Sequence, residues 1–204
     1  GVRVNNILSL QNVFARGELR LHNAEIGSDL DCENGTFENP GDIAIGAEGF
    51  KTGGSVRFRN ATAKGTITLL GAEIGGALIC DGITTFESQN GQALFAKRLK
   101  TGGDVRLNNV KAKGEVNFLG ADIGGDLVCD GAAFENASKS AFNADGLKVG
   151  GDACFDKAKV TGEFRLLGAD IGGDLDCDGA AFENEGGDAF SADRMKTGGD
   201  ASFD

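Results

Sequence analysis

Four cysteines, Cys32, Cys80, Cys129 and Cys177, recur at spacings of 48, 49 and 48 residues. A regular set of thiols raises zinc ligation or disulfide pairing, and both require the sulfur atoms to converge. Carboxylates form a second candidate set. Asp104, Asp126, Asp152, Asp174 and Asp200 each follow a Gly-Gly pair, with Asp29 earlier after Gly-Ser, and a row of carboxylates is potential calcium chemistry. Neither the glycine-rich calcium nonapeptide nor an EF-hand loop accompanies them. The single histidine, His22, has no nucleophile beside it in a recognisable motif, which argues against acid–base catalysis. What these groups do depends on the elements that place them.

The cysteine period is the period of the whole chain. The wording Gly-Glu-Phe-Arg-Leu-Leu-Gly-Ala-Asp-Ile-Gly-Gly-Asp-Leu-Asp-Cys-Asp-Gly-Ala-Ala-Phe at 162–182 returns at 114–134, more loosely at 65–86, and in worn form at 17–37. A fixed period of this length is repeat architecture, in which each unit packs on its neighbours. The chain is therefore read as one solenoid domain, 1–204, with two-turn repeats near 17–64, 65–113, 114–161 and 162–204, forming part of a longer array. Gly 34, Pro 1 and the lack of Trp and Tyr describe tight corners rather than helices. No apolar run approaches the roughly 18 residues of a membrane span, and the N-terminus lacks a signal-peptide layout, so a cytoplasmic protein is expected. A net charge of -11 argues against nucleic-acid and anionic-membrane partners.

Within each repeat, apolar or small residues come in pairs two apart, the signature of a short strand with alternate side chains inward. The pairs define a 22-residue turn with four faces: Leu19/Leu21, Ala24/Ile26, Leu30/Cys32 and Gly35/Phe37, followed by Ile45/Ala47 in the next turn. Every second turn carries a short insertion, at 38–44, 87–93, 135–141 and 183–189. Stacking the turns alternates large and small residues: Phe58, Leu107 and Phe155 fall between the four cysteines, and Ala63 and Ala112 between Phe37, Phe86 and Phe134. Such compensation fills a narrow core at high density. The expected fold is all-β, a right-handed parallel β-helix or quadrilateral β-solenoid of about 8 turns and about 40 Å. Twelve of the 14 Phe point inward in this register, all but Phe14 and Phe95. The Gly-Gly corners are expected to supply the positive φ of a sharp turn.

Ala121-Asp-Ile-Gly-Gly and Ala169-Asp-Ile-Gly-Gly, with Ala72-Glu-Ile-Gly-Gly and Ala24-Glu-Ile-Gly-Ser, fit the A-(D/N)-L-x-x motif to different degrees. In this respect the chain resembles pentapeptide-repeat proteins, whose right-handed four-faced β-helix has a shorter turn of 20 residues. The resemblance implies a second possible function, since some members are acidic rods that mimic duplex DNA and bind gyrase. Duplex DNA carries about one charge per 1.7 Å, or about 24 over such a rod. The net charge here is 11.

The register assigns each candidate group an expectation. The four cysteines stand two turns apart on one inner column, about 9.6 Å, beyond the roughly 7 Å reach of a disulfide, so they pack as small apolar groups. Cys154 lies between Ala153 and Phe155 on the outer side, an exposed thiol that implies a reducing compartment or an intermolecular link. Outward residues on the second face alternate in sign from Glu25 and Lys51 through Asp170 and Lys196, a surface ladder. The aspartates form a solvated corner row, with calcium at Asp104, Asp126, Asp152, Asp174 and Asp200 as the alternative. Stacked carboxylates hydrolyse sugars in some β-helices, but those enzymes have grooves walled by long loops. A non-enzyme without cofactor is expected. Its turns at either end carry no polar cap, which leaves Val2, Val4, Ala201 and Phe203, with Cys154, as interaction residues. The leading function is a scaffold or protein–protein interaction module, pairing end to end with itself or with another protein.

Overall fold

The structure, a computed structural model, describes residues 1–204 except for the side chain of Ser138. It is a β-solenoid of about 9 turns with roughly 23 residues in each. Twenty-eight strands form three sheets of nine, ten and nine strands, and among the described residues there is no helix. The turn count exceeds the expected 8 because incomplete turns at both ends still supply rungs. Arg3–Val4 and Leu8–Ser9 begin the stack, and Lys196–Thr197 and Ala201–Ser202 finish it.

The second and third faces each make a nine-stranded sheet in the expected register, with Glu25 on Lys51, Lys51 on Glu73 and Leu30 on Val56. The other two faces are not separate. In the middle of the rod the fourth face runs into the first face of the next turn as one strand, seven residues long in Thr62–Thr68 and eleven in Thr36–Gly46. The corner between them is a break in register after Lys64, at Gly65 with φ 129°, so four faces give three sheets. A bulge bends a strand without ending it.

The inner columns are buried as the alternation requires. Phe37, Phe58, Phe86, Phe134 and Phe155 are at most 1% exposed, and the four periodic cysteines at most 2%. Burial of each Phe contributes about 1.5–3 kcal/mol. On the first face Phe142 stacks on Phe164 at 5.2 Å, and Phe164 on Phe190 at 5.3 Å. Phe14 is exposed as expected, Phe95 is half-buried rather than fully outward, and Phe203 keeps its inner column yet is 53% exposed because no rung covers it.

The Gly-Gly corners do not have positive φ. That conformation belongs to the other corners: Gly65 after the fourth face, and after the first and third faces Asn23, Asn34, Asn60 and Asn109 at φ 51° to 59°, in columns shared with glycines and with Arg98, Lys157 and Arg194. Asparagine tolerates this region because its short side chain bonds locally. The paired glycines instead permit close approach between rungs. A Cβ on Gly150 would lie 2.4 Å from the Gly124 carbonyl oxygen of the rung before, and one on Gly151 would lie 1.9 Å from Oδ1 of Asp126. Ser28 occupies the second position only in the corner whose preceding rung has Ile7, not an acid, at the aspartate site. Gly103 follows Ala77 in the same way, and its Cβ would meet nothing nearer than 3.3 Å. Substitution by alanine is therefore expected to cost most at Gly150, about 3 kcal/mol against rigid backbone. Gly151 should cost about 1–3 kcal/mol by displacing a bonded carboxylate, and Gly103 under about 1 kcal/mol. Urea midpoints of the three variants check the order, and equal losses would refute it.

Candidate functional site

The aspartate row is built by the glycine corners. With no side chain on the second glycine, the carboxylate of one rung reaches over it to the next. Asp104 Oδ1 accepts the backbone N–H of Asp126 at 3.2 Å, Asp126 that of Asp152 at 3.0 Å, Asp152 that of Asp174 at 2.9 Å, and Asp174 that of Asp200 at 2.8 Å. Asp29 does the same for Ser55 at 2.7 Å, and Ser55 Oγ for Ala77 at 3.1 Å. Each acid satisfies a corner N–H that has no strand partner, a charge-assisted bond of about 1 kcal/mol or more at such a half-exposed site. The N–H of Ser55, then the Arg57 guanidinium, holds the Asp29 carboxyl below its usual range. The calcium alternative finds no convergent donor set, since among the described residues no three His, Cys, Asp or Glu side chains are grouped to hold a metal.

All five cysteines are free. Burial pushes the Cys32, Cys80 and Cys129 thiols far up and Cys177 to about 12. Cys154 is half-buried rather than exposed. Desolvation first, then the Asp130, Asp152, Asp176 and Asp156 charges, raise its thiol to about 11, so little thiolate forms near neutral pH. Beside it, Asp156 has a buried Oδ1 without a hydrogen-bond partner. Desolvation, then the facing Asp176 carboxylate, lifts the Asp156 carboxyl above its normal range.

His22 bonds Glu18 at 3.2 Å, and Glu18 also accepts from Arg20 Nε at 2.6 Å. This set lies over Gly46, whose Cβ would meet both Glu18 and His22 at 2.6–2.7 Å. Of the alternating second-face ladder, Arg3–Glu25 at 2.8 Å and Lys51–Glu73 at 3.0 Å are close ion pairs. A second alternating ladder, absent from the sequence expectations, runs along the end of the fourth face: Arg16, Glu38, Lys64, Glu87, Lys113 and Glu135. Its pairs include Lys64–Glu38 at 2.8 Å and Lys113–Glu87 at 3.5 Å. Also unanticipated are the clamps that close the insertions. Asn39 Nδ2 donates to the Ile43 carbonyl at 2.8 Å, Asn136 to Ser140 at 2.7 Å and Asn184 to Asp188 at 2.9 Å. The recurring Phe-Glu-Asn at 37–39, 134–136 and 182–184 is the signal that marks them.

The predicted edge residues lie at opposite ends of the stack and do not form one site. Val2 and Phe203 are 48% and 53% exposed, Ala201 is exposed and Val4 half-buried. The first and last strands of both nine-stranded sheets have a neighbour on one side only. Cys154 stands apart on the flank, in a strand paired on both sides.

Two opposite pH dependences follow. Asp29 has a lowered pKa, so it contributes stability above the unfolded carboxylate pKa that is lost as pH falls through its folded value. Asp156 has a raised pKa, so its contribution is full below the unfolded value, about 3.9, and is lost as pH rises through the folded one. Asp156→Asn is expected to raise the urea midpoint at pH 7, with the advantage disappearing below about pH 4. An advantage that persists unchanged in acid would contradict the assignment.

In comparisons with known proteins, no family model, curated protein or solved structure significantly matches the chain. Its architecture is that of a β-helical repeat protein, and the likeness to pentapeptide repeats rests on the four Ala-x-Ile corners alone.

Proposed function

We propose that the chain is a non-enzymatic β-solenoid scaffold that joins other proteins through the edges of its terminal rungs. The observation that carries this reading is the placement of exposed apolar side chains. Val2, Ile7 and Phe14 belong to the first rung and Phe203 to the last, while Ile83 is the one other large apolar residue so exposed among those described. Open strand edges beside apolar side chains are templates for an added strand, with main-chain bonds giving affinity and side-chain pockets giving selectivity. The flanks differ in character, because their ladders alternate in sign and their corner acids are occupied with backbone N–H groups. Alternating charge likewise favours this reading over a DNA mimic, which needs one sign along a face.

Photo-crosslinking with a benzophenone side chain at position 203 or 2, against the same group at flank position 100, tests the proposal in an extract of cells that make the protein. Protein adducts at the two edges and not at position 100 are expected. Adducts confined to the flank, or none at all, would overturn it.

A further inference from the structure

The second insertion is closed by an amide placed differently from those of the other three. In the first, third and fourth insertions Asn39, Asn136 and Asn184 present Nδ2 to a backbone carbonyl. The residues after them are Pro40, Ala137 and Glu185. In the second, Ser88 takes that position and the amide moves to Asn90, directly before Gly91. The amide is also turned round. Asn90 Oδ1 accepts from Ser88 Oγ at 2.6 Å and from the backbone N–H of Gln92 at 3.0 Å, while Nδ2 donates to Thr66 Oγ1 at 3.2 Å. The Gln92 N–H, a donor only, fixes which atom of the amide is the oxygen.

Two donors on a carbonyl oxygen draw electrons from its carbon and stabilise the oxyanion that forms when a nucleophile adds there. The nucleophile at hand is the Gly91 backbone nitrogen, which the chain holds within reach of a five-membered ring with Asn90 Cγ. Gly91 has φ 85°, and no atom lies within 4 Å of where its Cβ would stand, so no packing opposes the rotation that ring closure needs. Neither neighbouring rung pairs with residues 88–91: the ladders pass from Glu87 to Gln92 on one side and from Glu87 to Leu94 on the other.

We propose that Asn90 is a site of self-modification, at which the side-chain amide is converted to a carboxylate through a cyclic imide with Gly91. The Gly91 nitrogen gives its proton to hydroxide and bonds to Asn90 Cγ. The Cγ–Nδ2 bond then breaks, and ammonia leaves with a proton taken from water. One water molecule opens the imide at either of its two carbonyls, giving aspartate or a β-linked isoaspartate. The net change is amide plus water to carboxylate plus ammonium. It replaces a neutral clamp with an anion on the wall of a cleft that also holds Lys113 and Lys139. The β-linked product lengthens the backbone of the insertion by one carbon. This site is independent of the edge-binding reading.

The other Asn-Gly pair, Asn34-Gly35, supplies the contrast within the same chain. The N–H of Gly35 is bonded to the Cys32 carbonyl at 3.1 Å, and a Cβ on this buried glycine would meet the Phe37 ring at 2.6 Å. Attack there would have to break that bond and move the corner off the ring.

Peptide mapping by mass spectrometry, after incubation at neutral and mildly alkaline pH, reads both sites. Trypsin releases Asn90 in residues 65–97 as the only asparagine of that peptide, and Asn34 in residues 21–51. In the folded chain Asn90 should convert at least about ten-fold faster than Asn34, and faster still as pH rises. In urea, with the fold removed, the two Asn-Gly pairs should convert at similar rates. Ser88→Ala, which deletes one donor to the oxygen, should slow Asn90 about ten-fold. Equal rates at the two sites in the folded chain, or a preference for Asn90 that persists in urea, would overturn the proposal. Conversion of Ser88→Ala at the parent rate would do the same. Should that variant fail to unfold cooperatively, the parent chain compared with itself in urea decides alone.

Discussion

The fold depends on a close approach between the backbones of successive rungs. At each Gly-Gly corner the carbonyl of one rung lies where a Cβ of the next would be, as with Gly124 under Gly150 at 2.4 Å and Gly150 under Gly172 at 2.4 Å. That approach fixes how one turn sits over another, and the parallel sheets on either side of the corner continue its register. It also opens the space through which an aspartate bonds the following rung. Glycine, acid and amide thus form one device, repeated with the chain, and the side chains of the interior need only match volumes within a spacing already set.

Much of this could be read from residue order. The period, the two-apart pairs and the alternation of Cys with Phe or Leu placed the buried columns correctly, because volume compensation leaves a binary pattern in the sequence. Three features did not follow. Paired glycines serve either positive φ or close approach, and the sequence alone does not separate these uses; the Asn23 and Asn34 columns carried the φ signal. The four faces became three sheets because the strand bends at Gly65, where its register shifts, and continues beyond it. Cys154 alternates outward as expected, yet neighbouring acids and side chains half-cover it, a result of surface crowding that a column count does not contain. The edge residues were read as inner-column positions in end turns without a polar cap, and the structure leaves Val2, Ala201 and Phe203 exposed and Val4 half-buried.

Net charge proved a poor guide to surface character. A total of -11 conceals two ladders of alternating sign and a row of acids engaged with main-chain N–H groups. Paired charges of this kind contribute a few tenths of a kcal/mol each at exposed sites, and their larger effect is on which rung lies beside which. The same residues that set the surface charge thus help to hold one rung on the next.

The corner device is most directly tested by amide hydrogen exchange in Asp152→Ala. The N–H of Asp174 should exchange about ten-fold faster than in the parent chain, having lost its only acceptor. The N–H of Gly172, bonded to the Val149 carbonyl at 2.8 Å, should be unchanged. No acceleration at Asp174, or equal acceleration at both amides, would contradict the claim that the aspartate of one rung secures the backbone of the next.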